Sequence, residues 1–556
     1  MASEAAAPMG NARALPAAVR TACVLLLLAL LVAQVVAAIR TTSATDDEPY
    51  CIVSGLTALR TGDYRFNTDH PPLMSMLLGA AAHLAGAAPL PRNSDWDRGL
   101  RMRYSYFYLW HGPNAARALV LIEAARLPVL ALSFALALLV FFWARRLYGA
   151  TAALLSLALY CTEPNLLAHS SVAALDLGLA AAFCLTIYAW WRYLDTGSPF
   201  ALLLTGISFG AAAAIKLPGL LLLLVLPLLF AVGRKQGSRL TVASLGRPLA
   251  AVLGLALLTL WAVYRFSSAP VSASPGALSL PLGSYLQSIS FQLNHQQSGH
   301  PAYLFGMVSD TGWWFYYPVA FLVKTSLPLL LLLGLALSKG YWSRDELFLA
   351  LPAALFLAVA MLQGLDLGIR YLLPIYPLLI ILVGRTLTRE WPASWRRWPK
   401  AAVVVLALWA AAEAARYAPH YLSYFNGLAG GPRGGGRVLV DSNLDWGQDL
   451  PSLAAWQRAH PEAAPLSFAY FGPADVSRYG VRCQRLPDLG PSDPPHPPEW
   501  YQTESGPRTG WIAISENCLA LLPNYAWLKS YQPVARPAPS LRVYRITALP
   551  DSAGSR

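Results

Sequence analysis

Long apolar runs separated by short polar segments dominate the pattern along the chain. A helix needs about 20 apolar residues to cross a hydrocarbon core. Eleven runs approach that length, at about 21–38, 118–142, 150–162, 173–191, 200–215, 218–232, 249–264, 317–337, 346–363, 371–384 and 401–415. A further stretch, PLMSMLLGAAAHLAGAA at 72–88, is almost long enough. A crossing there would turn every later basic loop outward, so it is read as a helix lying at the outer interface. Arg13 and Arg20 precede the first run and VAQVVAA closes it, features shared with a cleaved signal peptide. Eighteen apolar residues are long for such a segment, and ten more runs follow, so it is read as a span.

Composition and charge sharpen this picture. The chain has 556 residues, 56% hydrophobic and 13% charged, with mean hydropathy +0.44, which excludes a soluble globular protein. The net charge of +13 suggests nucleic acid until the positions are read. With the N-terminus inside, the loops 1–20, 143–149, 192–199, 234–248, 338–345 and 385–400 hold sixteen Lys or Arg. The outer segments 163–172, 216–217, 265–316 and 364–370 hold only Lys216, Arg265 and Arg370. This bias sets topology, and it argues for membrane lipids and against nucleic acid as the partner of the basic charge. The expectation is an α-helical polytopic membrane domain over 1–415, with outer loops at 39–117 and 265–316 and the C-terminus outside. Residues 416–556 are expected to form a small extracytoplasmic α/β domain. RVLVDS (437–442), LSFAYFG (466–472), WIAIS (511–515) and LRVYRI (541–546) read as its strands, and DLPSLAAWQRAH (449–460) as a helix. The stretch GGPRGGGR lacks the Lys-Ser/Thr of a phosphate-binding loop and reads as a turn. Six cysteines show no CxxC pairing, and Cys483 and Cys518, both in the outer tail, are candidates to pair.

Polar groups at membrane depth are costly and mark candidate sites. Asp46, Asp47 and Glu48 open the first outer loop, Asp176 starts the fourth span, Lys324 lies inside the eighth and Arg370 precedes the tenth. Carboxylates and cations thus gather toward one face. Such a mixture suits group transfer from a lipid-linked phosphosugar, where a carboxylate deprotonates the acceptor and a cation stabilises the departing phosphate. A plainer reading stands beside each. Acids near a span end are commonly solvated, Asp176 can cap its helix, Arg370 and Lys324 can snorkel, and Glu123 with Arg126 reads as a structural ion pair. A transporter or lipid-linked sugar flippase is the rival class, although the spans show no duplicated halves. Nine histidines without HxH or HxxxH spacing give no indication of a metal, though a divalent ion remains compatible.

The motifs carry a resemblance. Asp47-Glu48-x-Tyr50, GDYRFNTDHPPL (62–73), FYYPVAFLVKTSLPLLLL, LDLGIRYLLPIYP and YFNGLAGGP…VDSNLDWGQDL occur in an order that resembles the protein O-mannosyltransferase-like family of GT-C glycosyltransferases. That family includes the aminoarabinose lipid A transferases, and the match, over about 46 to 450, is similar to its bacterial members. The resemblance implies the GT-C fold, a place in the bacterial plasma (inner) membrane, a polyprenyl-phosphate sugar donor, and inverting transfer to a protein, glycan or lipid acceptor outside the cytoplasm. It implies Asp47 as the catalytic carboxylate, with Glu48 beside it and Asp46 outside the motif. Asp176 is taken as a second helper. His70, Lys324 and Arg370 are expected to hold the donor phosphate, with Tyr50, Tyr371, Asp445 and Trp446 as weaker substrate contacts. His70 stands where aminoarabinose transferases carry lysine, and the α/β tail departs from the eukaryotic mannosyltransferases, so neither acceptor class is implied.

Overall fold

The computed structural model describes residues 16–233, 242–272, 277–338, 341–388, 398–488 and 506–549. Each of the eleven apolar segments is helical. By length and composition, four described helices can cross a membrane, Ala17–Thr41, Ala118–Thr162, Asp176–Thr196 and Leu245–Val263. Shorter apolar helices occupy Leu73–Leu84, Pro199–Ile215, Leu217–Gly233 and Ile375–Leu387. Ala118–Thr162 is not one rod. At Gly149 φ is 84° and ψ −179°, and the Ser133 and Tyr160 hydroxyls on either side of it meet at 3.1 Å. In an unbroken helix those two residues would lie about 40 Å apart. The two arms therefore form an antiparallel hairpin, as the two separate runs predict.

The run expected as a single span at 317–337 is broken. Tyr316–Lys324 and Leu327–Leu337 meet at 113°. Pro328 begins the second piece and cannot continue the hydrogen-bond ladder of the first. Carbonyls freed by the break need partners where water is scarce. Asn426 supplies most of them, its amide donating to Leu322 and Thr325 at 2.6 and 2.8 Å and its backbone N–H to Val323 at 2.9 Å. Asn165 donates to the Lys324 carbonyl at 2.7 Å, and Ser326 donates to Glu163 at 2.7 Å.

Glu48–Thr61 and the amphipathic helix Leu73–Leu84 cross so closely that only glycine fits at the contact. A Cβ on Gly55 would overlap the Ser75 carbonyl, and one on Gly79 would overlap the Leu56 backbone. Leu77 and Leu84 remain exposed on the outer side of this pair.

The tail carries a five-stranded sheet in the order Gln484–Arg485, Leu466–Ala469, Gly510–Ser515, Leu541–Ile546, Ala535–Ala538. The first two pairings are parallel and the last two antiparallel. Helix Leu450–Ala459 forms where expected. RVLVDS does not form a strand. GGPRGGGR includes a short helix, Gly431–Gly435, and the chain then runs irregularly into a 3-10 turn at Asp441–Asn443. Its polar groups are claimed by the membrane domain and by Asn517 instead of by a neighbouring strand, since Val438 accepts from Phe305 N–H, Ser442 Oγ donates to the Leu367 carbonyl, and Asp441 N–H donates to Asn517. Cys483 and Cys518 form no disulfide with each other, Cys518 being buried and Cys483 half-buried.

Gly55→Val and Gly79→Val force two helix backbones apart, and overpacking of this kind costs about 1–3 kcal/mol or more. Each is expected to lower the thermal midpoint of the detergent-solubilised protein, whereas Leu84→Ser on the exposed face leaves it nearly unchanged.

Candidate active site

The first-loop acids diverge in role. Glu48 is fully buried and accepts four hydrogen bonds, from Arg126 Nε and Nη2, Thr45 N–H and Ala173 N–H, all at 2.7 Å. Arg126, also buried, donates further to the carbonyls of Ile39 at 2.9 Å and Ser43 at 2.8 Å. The pair staples the end of Ala17–Thr41, the turn before Glu48 and the 172–174 bend to one another. Glu48 is thus a structural anchor with no lone pair left for a substrate. Arg126 takes its charge partner from that loop, and Glu123, three residues before it, is exposed. The expected Glu123–Arg126 pair does not form because a buried guanidinium reaches a buried carboxylate here.

Asp47, next along, occupies the N-cap position of Glu48–Thr61 and faces the other way. Its Oδ2 accepts from Arg370 Nη1 at 2.5 Å, and its side chain is 28% exposed. Arg370 is fixed from below, its guanidinium 4.4 Å from the Trp446 ring centre and its Nε donating to the Leu367 carbonyl at 3.2 Å. Tyr371 lies beyond Arg370, and Lys216 Nζ sits 3.9 Å from the Tyr371 ring centre. Lys216 in turn donates to Asp176 Oδ1 at 2.6 Å. Asp47, Arg370, Tyr371, Lys216 and Asp176 form one continuous charged row. Asp176 is spent on Lys216 rather than on capping its own helix, for no cap hydrogen bond forms there.

Lys216 is visible in the sequence only as an outer basic residue. The signal that could have found it is the one that singles out Lys324, a lone lysine inside AAAAIKLPGLLLLL.

The row borders a cavity of about 480 Å³. His70, Lys216, Tyr371 and Gln292 give it a polar end, while Leu220, Leu224, Phe356 and Val359 are among the apolar residues of its trough. Helix Gly283–Ser298 closes one side, with Gln292 donating to the Asp69 carbonyl at 2.7 Å. Asp69 pairs with Arg101 at 3.2 Å, and the Arg101 guanidinium lies 5.7 Å from the Tyr50 ring centre. Tyr50 is buried and sits behind the TDHPP turn. His70 Nδ1 is buried and has no hydrogen-bond partner. Burial, reinforced by the Lys216 charge and opposed by Asp69, pushes the His70 pKa down to about 4. In the ligand-free site His70 is therefore a neutral hydrogen-bonding ring, not the charge switch near neutral pH that its residue type suggests.

Other predicted residues lie elsewhere. The Lys324 amino group is buried at the helix break, donating to the carbonyls of Leu422 at 2.8 Å and Asn443 at 2.5 Å, with Phe425 4.5 Å away. It does not line the cavity, because the tail's carbonyls have taken its donors. Asp445 is buried and accepts from the backbone N–H groups of Asn517 and Gly447, shaping a turn. Trp446 is buried beneath Arg370 with no face open to a glycan. Asp46 is no solvated flank. Burial and the neighbouring Asp47 and Asp441 push its pKa up to about 8. Among the described residues no trio of His, Cys, Asp or Glu side chains is arranged to hold a metal ion.

Fold and site together define a polytopic membrane protein with a charged loop site above an apolar trough. Residues 118–264 match the family model described as dolichyl-phosphate-mannose-protein mannosyltransferase. The structure of ArnT from Cupriavidus metallidurans in the apo state superposes over 94% of this chain and 98% of its own, at 15% identity and TM-score 0.52, so the fold is the GT-C fold. The same protein bound to undecaprenyl phosphate gives 14% identity, the same coverage and TM-score 0.47. The Saccharomyces cerevisiae Pmt1–Pmt2 O-mannosyltransferase complex bound to its sugar donor covers 45% of this chain and 35% of its own, at 20% identity and TM-score 0.32. No curated protein matches. The resemblance read from the motifs holds, and the chain is similar to the protein O-mannosyltransferase-like group of GT-C proteins.

Removing one partner of a buried, hydrogen-bonded ion pair costs about 3–5 kcal/mol. Glu48→Gln is accordingly expected to destabilise the fold severely, while Asp47→Asn, at the partly exposed pair, leaves the thermal midpoint close to the parent. A histidine whose folded pKa lies below the ordinary 6.5 binds fewer protons folded than unfolded between pH 6.5 and 4. The stability tied to neutral His70 is full above pH 6.5 and lost as pH falls toward 4. Unfolding midpoints of the donor-free protein measured over that window are expected to fall less steeply for His70→Gln than for the parent.

Proposed function

We propose that the protein is a membrane glycosyltransferase that moves a sugar from a polyprenyl-phosphate donor to an extracytoplasmic acceptor. The observation that carries this reading is the meeting of a half-open carboxylate, Asp47, with a cationic row at the mouth of an apolar trough. Isoprenoid carbons suit Leu220, Leu224, Phe356 and Val359, whose burial of apolar surface is favourable. The donor phosphate suits the polar end, where Lys216 supplies charge and neutral His70 supplies a hydrogen bond. Lys216 thus takes the place that residue type alone gives to Lys324.

Asp47 has one oxygen held by Arg370 and the other without a hydrogen bond among the described residues. In this mechanism the free oxygen takes the proton from an acceptor hydroxyl as its oxygen attacks the anomeric carbon. The bond from that carbon to the phosphate oxygen breaks on the opposite side, which inverts the configuration. The electron pair stays on the phosphate, where Lys216 and Arg370 offset the growing charge. With eleven crossings and the N-terminus in the cytoplasm, this face lies outside, and residues 416–556 form an extracytoplasmic domain that backs the site.

A positioned general base contributes about 10²–10⁴-fold. Asp47→Asn is expected to lose transfer from a polyprenyl-phosphate sugar by that order without loss of folding, and full retained transfer would remove Asp47 from the role. Lys216→Met is expected to raise the donor KM by about 10–100-fold, the worth of a charged hydrogen bond.

A further inference from the structure

A second cavity, of about 320 Å³, lies at the opposite end of the bundle, between Ala17–Thr41 and the two arms of the Ala118–Thr162 hairpin. Arg20 and Arg145 stand at it, and Val24, Phe141, Phe142 and Leu154 form its wall. Helix geometry sets its depth. Arg20 precedes Thr42, and Arg145 follows Arg126, by about 30 Å along their helices at 1.5 Å per residue, which is one hydrocarbon thickness. Thr42 and Arg126 touch each other beside the active site, so Arg20 and Arg145 converge at the other membrane face.

Among the described residues the two guanidinium groups have no carboxylate partner. Arg146, next in sequence, pairs with Asp195 at 3.4 Å, and Arg192 approaches the same carboxylate at 3.6 Å. Among the described residues neither Arg20 nor Arg145 forms an ion pair, and the cavity has no acidic lining. Two free forks above an aromatic and aliphatic wall match a phosphate joined to acyl chains. A zwitterionic headgroup would bring its ammonium against two cations, whereas an anionic one would not.

We propose that this cavity is a binding site for an anionic phospholipid, its phosphate held between Arg20 and Arg145 and its acyl chains lying against Phe141, Phe142, Val24 and Leu154. The bound lipid bridges the first helix to the hairpin and so stabilises the whole chain by linkage. The test is the thermal midpoint of the full-length protein in a neutral detergent, titrated with phosphatidylglycerol, with phosphatidylcholine and with soluble glycerol phosphate. Phosphatidylglycerol is expected to raise the midpoint, and the other two are not. Arg20→Gln with Arg145→Gln is expected to weaken the apparent lipid affinity at least about tenfold, while Arg20→Lys with Arg145→Lys, which keeps the charge and loses the fork, is expected to fall between the parent and the glutamine variant. The proposal is overturned by an equal shift with phosphatidylcholine, by a full shift with glycerol phosphate alone, or by an undiminished phosphatidylglycerol shift in the glutamine variant.

Discussion

The structure depends on a buried ion pair, Glu48 with Arg126. Burying two charges is expensive, and the cost is offset only when every lone pair and N–H finds a partner. That condition is met here, with four donors on the carboxylate and three backbone carbonyls of the 39–43 segment on the guanidinium. Three chain segments far apart in sequence are thereby fixed together. Asp47 projects from the turn so fixed, and its outward direction is a consequence of Glu48 pointing inward.

The tail is equally part of the site. The Asn443 side chain accepts from Ile369 N–H at 2.9 Å and donates to the Tyr316 hydroxyl at 2.9 Å, while its carbonyl receives Lys324. Gly368 is pressed so closely under Ser442, at φ 102°, that a side chain would not fit. Arg370 comes two residues later, with Trp446 beneath it. The position of the cation that holds Asp47 is therefore set by residues outside the apolar helices. This accounts for Lys324, Asp445 and Trp446 standing out as polar or aromatic residues at the membrane face while serving the junction between bundle and tail.

Charge and greasiness are divided along the cavity with little overlap. Lys216 is held by Asp176 and Tyr371, and His70 is left neutral by burial close to that cation. On the proposed function, a lipid-borne anion would meet fixed charge at one end and hydrocarbon at the other, an arrangement already organised without a ligand.

Features governed by short-range physics were legible in the residues alone. Apolar runs of spanning length made helices in all eleven places, the Gly149 break was legible as two runs, and alternating β-rich segments at 466–472, 511–515 and 541–546 became strands. The motif order carried the fold family, and Asp47 and Arg370, both marked out as costly polar residues at span ends, are in contact with each other. Tertiary structure decided which partner each buried charge found. Glu48, Asp47 and Asp46 are adjacent and similar in chemistry, yet one is a buried anchor, one a half-open carboxylate and one a partly buried acid with a raised pKa, because their degree of burial and their neighbours differ. Lys216 and Lys324 are likewise both lone lysines in apolar surroundings, and only contacts brought from Asp176 and from the tail separate cavity wall from helix-break support. Burial makes a charge's energy depend on its few nearest partners, and no local pattern in the chain names them.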